Sequence, residues 1–321
     1  MKCKGFKSYC GKEVIVYLNY IKRGFCKEHF IEFELKRMAR TIKRYNMIKA
    51  TKDKIMVALS GGKDSTALLD MLVSYYNMVD KVEYRPKIEA IHINLGIDAN
   101  SYSEKCLNST TKLCDMLGVP LHIIDLKKEY GFKISDFSQN KKFINRKPCS
   151  LCGVVKRYIL NKFPRDLGAT KIATGHLLDD EVSTLMKNLI YGPVENLIRM
   201  SPKLESIKEL NLLSRIKPLY EISEFETSNY VKLKNLPYVS DKCPNAITKT
   251  MKMKETLEHL EKNFPNSRYF LLRNFNKYYQ PAIKSMYSVE IKSTTKCRNC
   301  GQPTSIDLCS FCRILEKFNS D

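Results

Sequence analysis

The chain has 321 residues, 43% of them hydrophobic, which is enough for a sizeable core and more than one small domain needs. No apolar run approaches the roughly 20 residues that cross a bilayer, and the start, MKCKGFKSYC, holds no apolar signal segment, so the expectation is a cytoplasmic protein with no membrane partner. A net charge of +21 points to a polyanion such as nucleic acid, because each neutralised phosphate releases counterions.

Residues 1–29 hold Cys3, Cys10, Cys26 and His29. Twelve cysteines without a secretion signal argue for metal or redox chemistry rather than structural disulfides. The half CKEH has good C-x-x-H spacing for zinc; the half Cys3–Cys10 is a looser C-x6-C. A basic amphipathic helix follows, FIEFELKRMARTIKRYNMI, and residues 36–54 carry eight Lys/Arg against one acid, Asp53.

Residues 54–59 read as a buried strand and Lys63 to Tyr76 as a helix. Between them lies Ser60-Gly61-Gly62-Lys63-Asp64-Ser65. The glycines let backbone approach an anion, the helix start offers free N–H groups, Lys63 adds charge, and the serine hydroxyls donate. Asp64 repels a bare phosphate, so it recruits Mg²⁺ or caps the helix. The spacing is not that of the usual P-loop. An ordinary capped turn is the bland alternative; the whole hexapeptide after an apolar strand favours phosphate binding.

KIEAIHINLGI is a second strand, SEKCLNSTTKLCDMLGV a second helix and PLHIIDL a third strand. Cys106 and Cys114 sit on one face of that helix and read as buried core; His92, His122 and His259 receive no role. Residues 127–148 are basic and loop-like, and 127–165 carry eleven Lys/Arg against two acids. A helix opens at or just after Cys149 in CSLCGVVKRYILNKF. A C-x-x-C at a helix start is poised for a low thiol pKa. It fits half a zinc site, a redox pair or incidental buried thiols. KIATG is a fourth strand, DDEVSTLMKNLIY a helix and LSRIKPL a fifth strand. Helices are expected at about 222–235, 252–263 and 268–279. LLRNFNKYYQPAIKS mixes aromatic and basic residues, suiting RNA contact or packing on the body. Cys297, Cys300, Cys309 and Cys312 form two C-x-x-C pairs, a strong Cys₄ zinc signal. Strands alternating with helices across 54–220 imply an α/β, doubly wound parallel sheet with its ligand at the strands' carboxyl ends.

SGGKDS resembles the PP-loop of the ATP pyrophosphatase superfamily. Cys149, Cys152 and the remote Cys243 of DKCPNA, with TGHLLDDEVST, resemble the tRNA 2-thiolation family of TtcA/TtuA type. The resemblance covers nearly the whole chain and implies a PP-loop domain flanked by N- and C-terminal zinc fingers. The implied division is 1–30 finger, 31–53 basic linker helix, 54–220 PP-loop domain, 221–290 helical extension and 291–321 finger. It implies ATP with Mg²⁺ at Ala58, Ser60, Gly61, Gly62, Lys63, Asp64, Ser65, Lys156 and Gly175, and catalytic roles for Asp180 and Lys156. It implies a [4Fe–4S] cluster on Cys149, Cys152 and Cys243, one iron being left without a protein ligand. A persulfide on one of these thiols is the rival route. The family has C-x-x-C where this chain has Cys3 and Cys10. The implied activity is adenylation of a tRNA uridine at the C2 oxygen, then sulfur insertion to give 2-thiouridine. INLGIDANSYS looks closer to T-loop than to wobble thiolases. The implied partners are tRNA, a thiocarboxylated ubiquitin-like protein or sulfide as donor, and a second copy of the chain. A zinc-finger tRNA-binding protein with a vestigial ATP site is the other reading; an amidotransferase-like enzyme leaves the cysteines without a role.

Overall fold

The computed structural model describes residues 2–5, 10–143, 146–246, 248–287 and 295–320. The expected module boundary at 290/291, and Ile144 and Asn145 of the basic segment, lie outside them. A hairpin, β1 (Val16–Leu18) and β2 (Arg23–Phe25), leads into α1 (Lys27–Arg44). Then come β3 (Lys54–Leu59), α2 (Lys63–Asn77), β4 (Lys87–Asn94), α3 (Tyr102–Leu117) and β5 (Leu121–Asp125). The short helices α4 (Leu126–Tyr130) and α5 (Asp136–Gln139) precede α6 (Pro148–Asp166). Next are β6 (Lys171–Ala173), α7 (Leu178–Tyr191), α8 (Val194–Arg199), β7 (Lys203–Leu204), β8 (Ser214–Ile216) and α9 (Glu224–Leu233). α10 (Thr248–Asn263), α11 (Ser267–Asn274), a π-helical turn at Phe275–Tyr279 and α12 (Gln280–Met286) follow. The last elements are the hairpin β9 (Thr295–Lys296) and β10 (Pro303–Thr304), and α13 (Ser310–Asn319).

The main sheet has the order β5-β4-β3-β6-β8-β7. It is parallel except for β7, an antiparallel edge strand that the sequence pattern does not announce. β3 is central and apolar on both faces, so it needs cover on both. Ile55, Val57 and Leu59 join a core with α1, α2 and α9. Met56 faces the opposite core, built from α5, α6 and the C-terminal module. The chain moves from β3 to β4 on one side and returns to β6 on the other. That reversal opens the crevice at the carboxyl end of β3 where doubly wound folds bind ligands.

The expected linker helix and helical extension both make contacts with the body. Phe30, Leu35, Met38 and Ile42 of α1 recur at helical spacing and are buried, so one face of this basic helix packs into the core. α9 packs on α2, which ties the first part of the 221–290 extension to the sheet. The basic segment 127–148 is also more ordered than a loop. Phe132, Ile134, Phe137 and Phe143 are buried there under the C-terminal module.

Candidate active site

Residues 60–65 turn from β3 into α2, with Gly62 at the helix N-cap. The serines fasten the turn from within. Ser60 N–H donates to Ser65 Oγ at 3.2 Å, and Ser65 Oγ–H donates to the Gly62 carbonyl at 3.0 Å. Gly61 has φ +84°, and a Cβ there meets Cys106 Cβ at 2.7 Å. No other residue fits that place without displacing α3. Gly175 performs a second close approach, since a Cβ added there would lie 3.0 Å from backbone atoms of Asp64 and Ser65. The loop is also braced from outside: Val239 N–H donates to the Gly61 carbonyl at 2.9 Å. The result is a backbone cradle at a helix start, suited to a polyphosphate.

On one side of the cradle lies a network of acids and lysines. Lys63 Nζ is 2.8 Å from Glu224 Oε1 and 3.3 Å from Asp64 Oδ2. Thr227 donates to Asp64 Oδ1 at 2.9 Å. Burial pushes the Asp64 carboxyl above its ordinary range, and Lys63 and Thr227 only partly offset this. Asp180, in the first turn of α7, is 2.8 Å from Lys254 Nζ of α10. Its other oxygen accepts from Leu177 N–H at 3.2 Å. Lys254 also reaches Glu224 Oε2 at 3.2 Å. Asp179 points elsewhere, bonding Arg268 and accepting from Glu224 N–H at 2.6 Å.

On the other side a cavity of about 150 Å³ is lined by Ala58, Ser60, Cys106, Cys152, Lys156 and Cys243 among others. Cys152 and Lys156 lie one turn apart on α6, so both face the same way. Cys149, a turn earlier, donates its thiol to the Asn245 carbonyl, which joins it to the loop carrying Cys243. Burial raises the Cys149 and Cys152 thiols above their ordinary value, and Lys156 opposes this. His92 also lines the cavity. Its Nδ1–H donates to the Leu59 carbonyl at 3.0 Å, and its buried Nε2 has no hydrogen-bond partner among the described residues. Cys106 is only 3% exposed, as a core residue should be, yet it forms part of the cavity wall and of the cradle's back. Cys114 lies in the core.

Lys156 and Asp180 thus flank the cradle on opposite sides. Sequence reasoning missed Glu224, Thr227 and Lys254. For Glu224 a signal exists: Ser223 and Glu226 form a capping box, which marks the start of α9 and so places Glu224 at its tip. Lys254 carries no local signal.

The terminal groups are tighter. The ligand atoms of Cys3, Cys10, Cys26 and His29 lie within 4.8 Å of one another, and so do those of Cys297, Cys300, Cys309 and Cys312. Each offers four donors of the kind that suit a four-coordinate zinc ion. The C-x6-C spacing therefore closes onto CKEH. Burial raises the Cys297 thiol, but N–H donors from Cys309, Cys300 and Asn299 overcome it and bring the pKa down to about 6. Cys149, Cys152 and Cys243 are not drawn into such a quartet. Cys152 and Cys243 line the same cavity, and Cys149 is tied to the Cys243 loop through Asn245.

The sequence matches the PP-loop domain family over residues 34–249. It is 38% identical to a tRNA-5-methyluridine(54) 2-sulfurtransferase of Pyrococcus horikoshii, across 98% of this chain and 93% of that protein. It is 33% identical to the enzyme of that name from Thermus thermophilus, across 98% and 91%. Among solved structures, the U34-tRNA thiolase NcsA of Methanococcus maripaludis, with its [4Fe–4S] cluster, superimposes with a TM-score of 0.79. The two share 27% identity, and the match covers 100% of this chain and 97% of that one.

Proposed function

This chain belongs to the PP-loop tRNA thiolases of TtcA/TtuA type, and on that premise we propose that it is a tRNA uridine 2-sulfurtransferase whose target is the T-loop uridine, position 54. The target follows from the Pyrococcus and Thermus relatives, both named for that position. One observation carries the chemistry: Ser60 of the phosphate cradle, Lys156, Cys152 and Cys243 line a single cavity.

ATP with Mg²⁺ places its phosphates on Ser60, Gly61, Gly62, Lys63, Asp64 and Ser65, with Ala58 at the strand end and Gly175 giving room behind. The uridine C2 oxygen attacks the α-phosphorus. The new O–P bond forms, the bond to pyrophosphate breaks, and Asp180 takes the N3 proton. Adenylation turns a poor leaving oxygen into a good one. Lys156 steadies the adenylate's charge beside the thiols. Sulfide then adds to C2, the C2–O bond breaks, and AMP leaves. Held by Cys149, Cys152 and Cys243, a [4Fe–4S] cluster supplies iron–sulfur chemistry for that second step. Zinc on Cys3, Cys10, Cys26 and His29, and on Cys297, Cys300, Cys309 and Cys312, is structural, because a closed four-ligand site has no open position.

Sulfur arrives from a thiocarboxylated ubiquitin-like protein or as free sulfide, and the protein works in the cytoplasm. No helix among the described residues is long and apolar enough to cross a membrane. Two copies assemble, which gives cover to the exposed apolar end of α7 (Leu189, Ile190 and Tyr191, the last 81% exposed).

The test is an anaerobic assay of cluster-reconstituted protein with ATP, Mg²⁺, sulfide and unmodified tRNA, read by nuclease digestion and mass spectrometry. Thiolation in the T-loop is expected. Thiolation at the wobble position corrects the target; no thiolated nucleoside with the cluster intact overturns the activity. Full activity in Cys243→Ala removes the cluster assignment.

A further inference from the structure

The sequence supplies the cradle with one loop cation, Lys63, and a second stands beside it. We propose that Lys254 is a catalytic residue of the adenylation step, a second phosphate-binding cation held on Asp180 and Glu224 until nucleotide arrives. The proposal rests on the reading of residues 60–65 as an ATP cradle.

Glu224 is the key to the geometry. Its Oε1 is 2.8 Å from Lys63 Nζ and its Oε2 is 3.2 Å from Lys254 Nζ. One carboxylate therefore spans two ammonium groups, each oxygen serving one lysine. Two non-bridging oxygens of a phosphate present the same pattern, so Glu224 holds the place of a phosphate and keeps the two cations at phosphate spacing. Polyphosphate reaching Lys63 meets Lys254 at once.

Charge favours a second cation. Within this network three carboxylates, Asp64, Asp180 and Glu224, face two lysines, Lys63 and Lys254. An incoming polyphosphate adds further negative charge, which its Mg²⁺ and Lys63 only partly offset. Lys254 can move: its side chain is 31% exposed, on a flexible four-carbon stem.

The same movement prepares the base. Asp180 Oδ1 is paired with Lys254 at 2.8 Å, so an ammonium group occupies the oxygen that is to receive the proton. When Lys254 turns to the α-phosphate it frees that oxygen for the uridine N3 proton. It also neutralises charge growing on the phosphorus as the bond to the C2 oxygen forms and pyrophosphate departs. Phosphate arrival and release of the base become one event. α10 follows the Cys243 loop directly, so one stretch of chain brings a cluster thiol to one side of the cradle and this cation to the other.

The experiment measures tRNA-dependent pyrophosphate release by the anaerobic, cluster-loaded protein. In Lys254→Met the expected kcat falls on the order of 100-fold, as for loss of one preorganised transition-state donor, while the ATP KM changes much less. Lys254→Arg should recover part of the rate, and ethylamine should restore Lys254→Ala in proportion to its concentration. A purely structural lysine gives no amine rescue. Wild-type kcat in Lys254→Met overturns the proposal. So does an Ala variant deaf to amine together with an Arg variant no better than Met. The parent protein separates this from the wider reading: no pyrophosphate from it overturns the ATP cradle and this proposal together, whereas an active parent with an unaffected Met variant overturns this proposal alone.

Discussion

Phe311 of α13 lies flat on Tyr158 of α6, with ring centroids 3.8 Å apart and planes 9° from parallel. Tyr130 closes the stack edge-on, 4.9 Å from Phe311. α6 also carries Cys149, Cys152 and Lys156. The C-terminal cysteine module therefore buttresses the helix that presents Cys149 and Cys152, the proposed cluster thiols. Phe311→Ala should cost about 3–5 kcal/mol, the range for truncating a buried aromatic. Urea unfolding measures that loss, and the iron content of reconstituted protein should fall with it. Unchanged stability means that the stack is a surface contact only.

Gly61→Ala should lose ATP binding. The positive φ strains any side chain by about 1–3 kcal/mol, and the added Cβ collides with α3. Truncating Cys106 does not cure this, because its Cα and carbonyl oxygen are also only 2.8 and 3.0 Å away. Nucleotide titration of G61A and of G61A/C106A checks both statements; recovery in the double variant contradicts the second.

Asp64 gives a pH signature. Burial raises its pKa in the folded protein above the ordinary 3.8. The folded state then binds more protons than the unfolded state in the window just above 3.8, so this group lowers stability as pH rises through it. Asp64→Asn should therefore melt higher than the parent at neutral pH while losing pyrophosphate release. The melting advantage should shrink as pH falls towards 3.8. Calorimetry across that range decides it: an Asn variant less stable at pH 7 reverses the sign.

tRNA should meet the exposed face of α1. Arg40 and Lys43 line a shallow groove there with Phe33 and Tyr75. Arg40→Glu/Lys43→Glu should weaken tRNA binding and lower the slope of log affinity against log salt by about 1 for each phosphate that is no longer neutralised. A filter-binding series with an unchanged slope places the RNA elsewhere.

Much of this was readable because it is local. The strand 54–59 is apolar on both faces and runs through Ser60 into two glycines, so the cradle needs no tertiary information. The paired spacings of Cys297, Cys300, Cys309 and Cys312 fix a donor set by themselves. Other features depend on pairings between distant segments. The bond of Asp180 with Lys254 joins α7 to α10, and neither neighbourhood hints at the other. The segment 127–148 resisted for a different reason. Its buried phenylalanines lie on or beside helical turns of only three to five residues, too short for a periodicity that needs a window of about 11. The two-residue β7 is shorter still.

The seat of α6 also has a consequence for how the protein is made. Asn161 donates to Gln302 Oε1 at 2.6 Å, and Phe311 and Phe318 cover the aromatic residues on and beside the cysteine helix. Pairings so distant along the chain form late. While the ribosome is still translating residues before 300, Cys149 and Cys152 exist but their helix rests on the sheet alone and lacks its C-terminal cover. On the proposed cluster assignment, iron loading belongs to the closing stage of synthesis, and a nascent chain stalled short of Gln302 should take up the cluster poorly beside one released after Phe318.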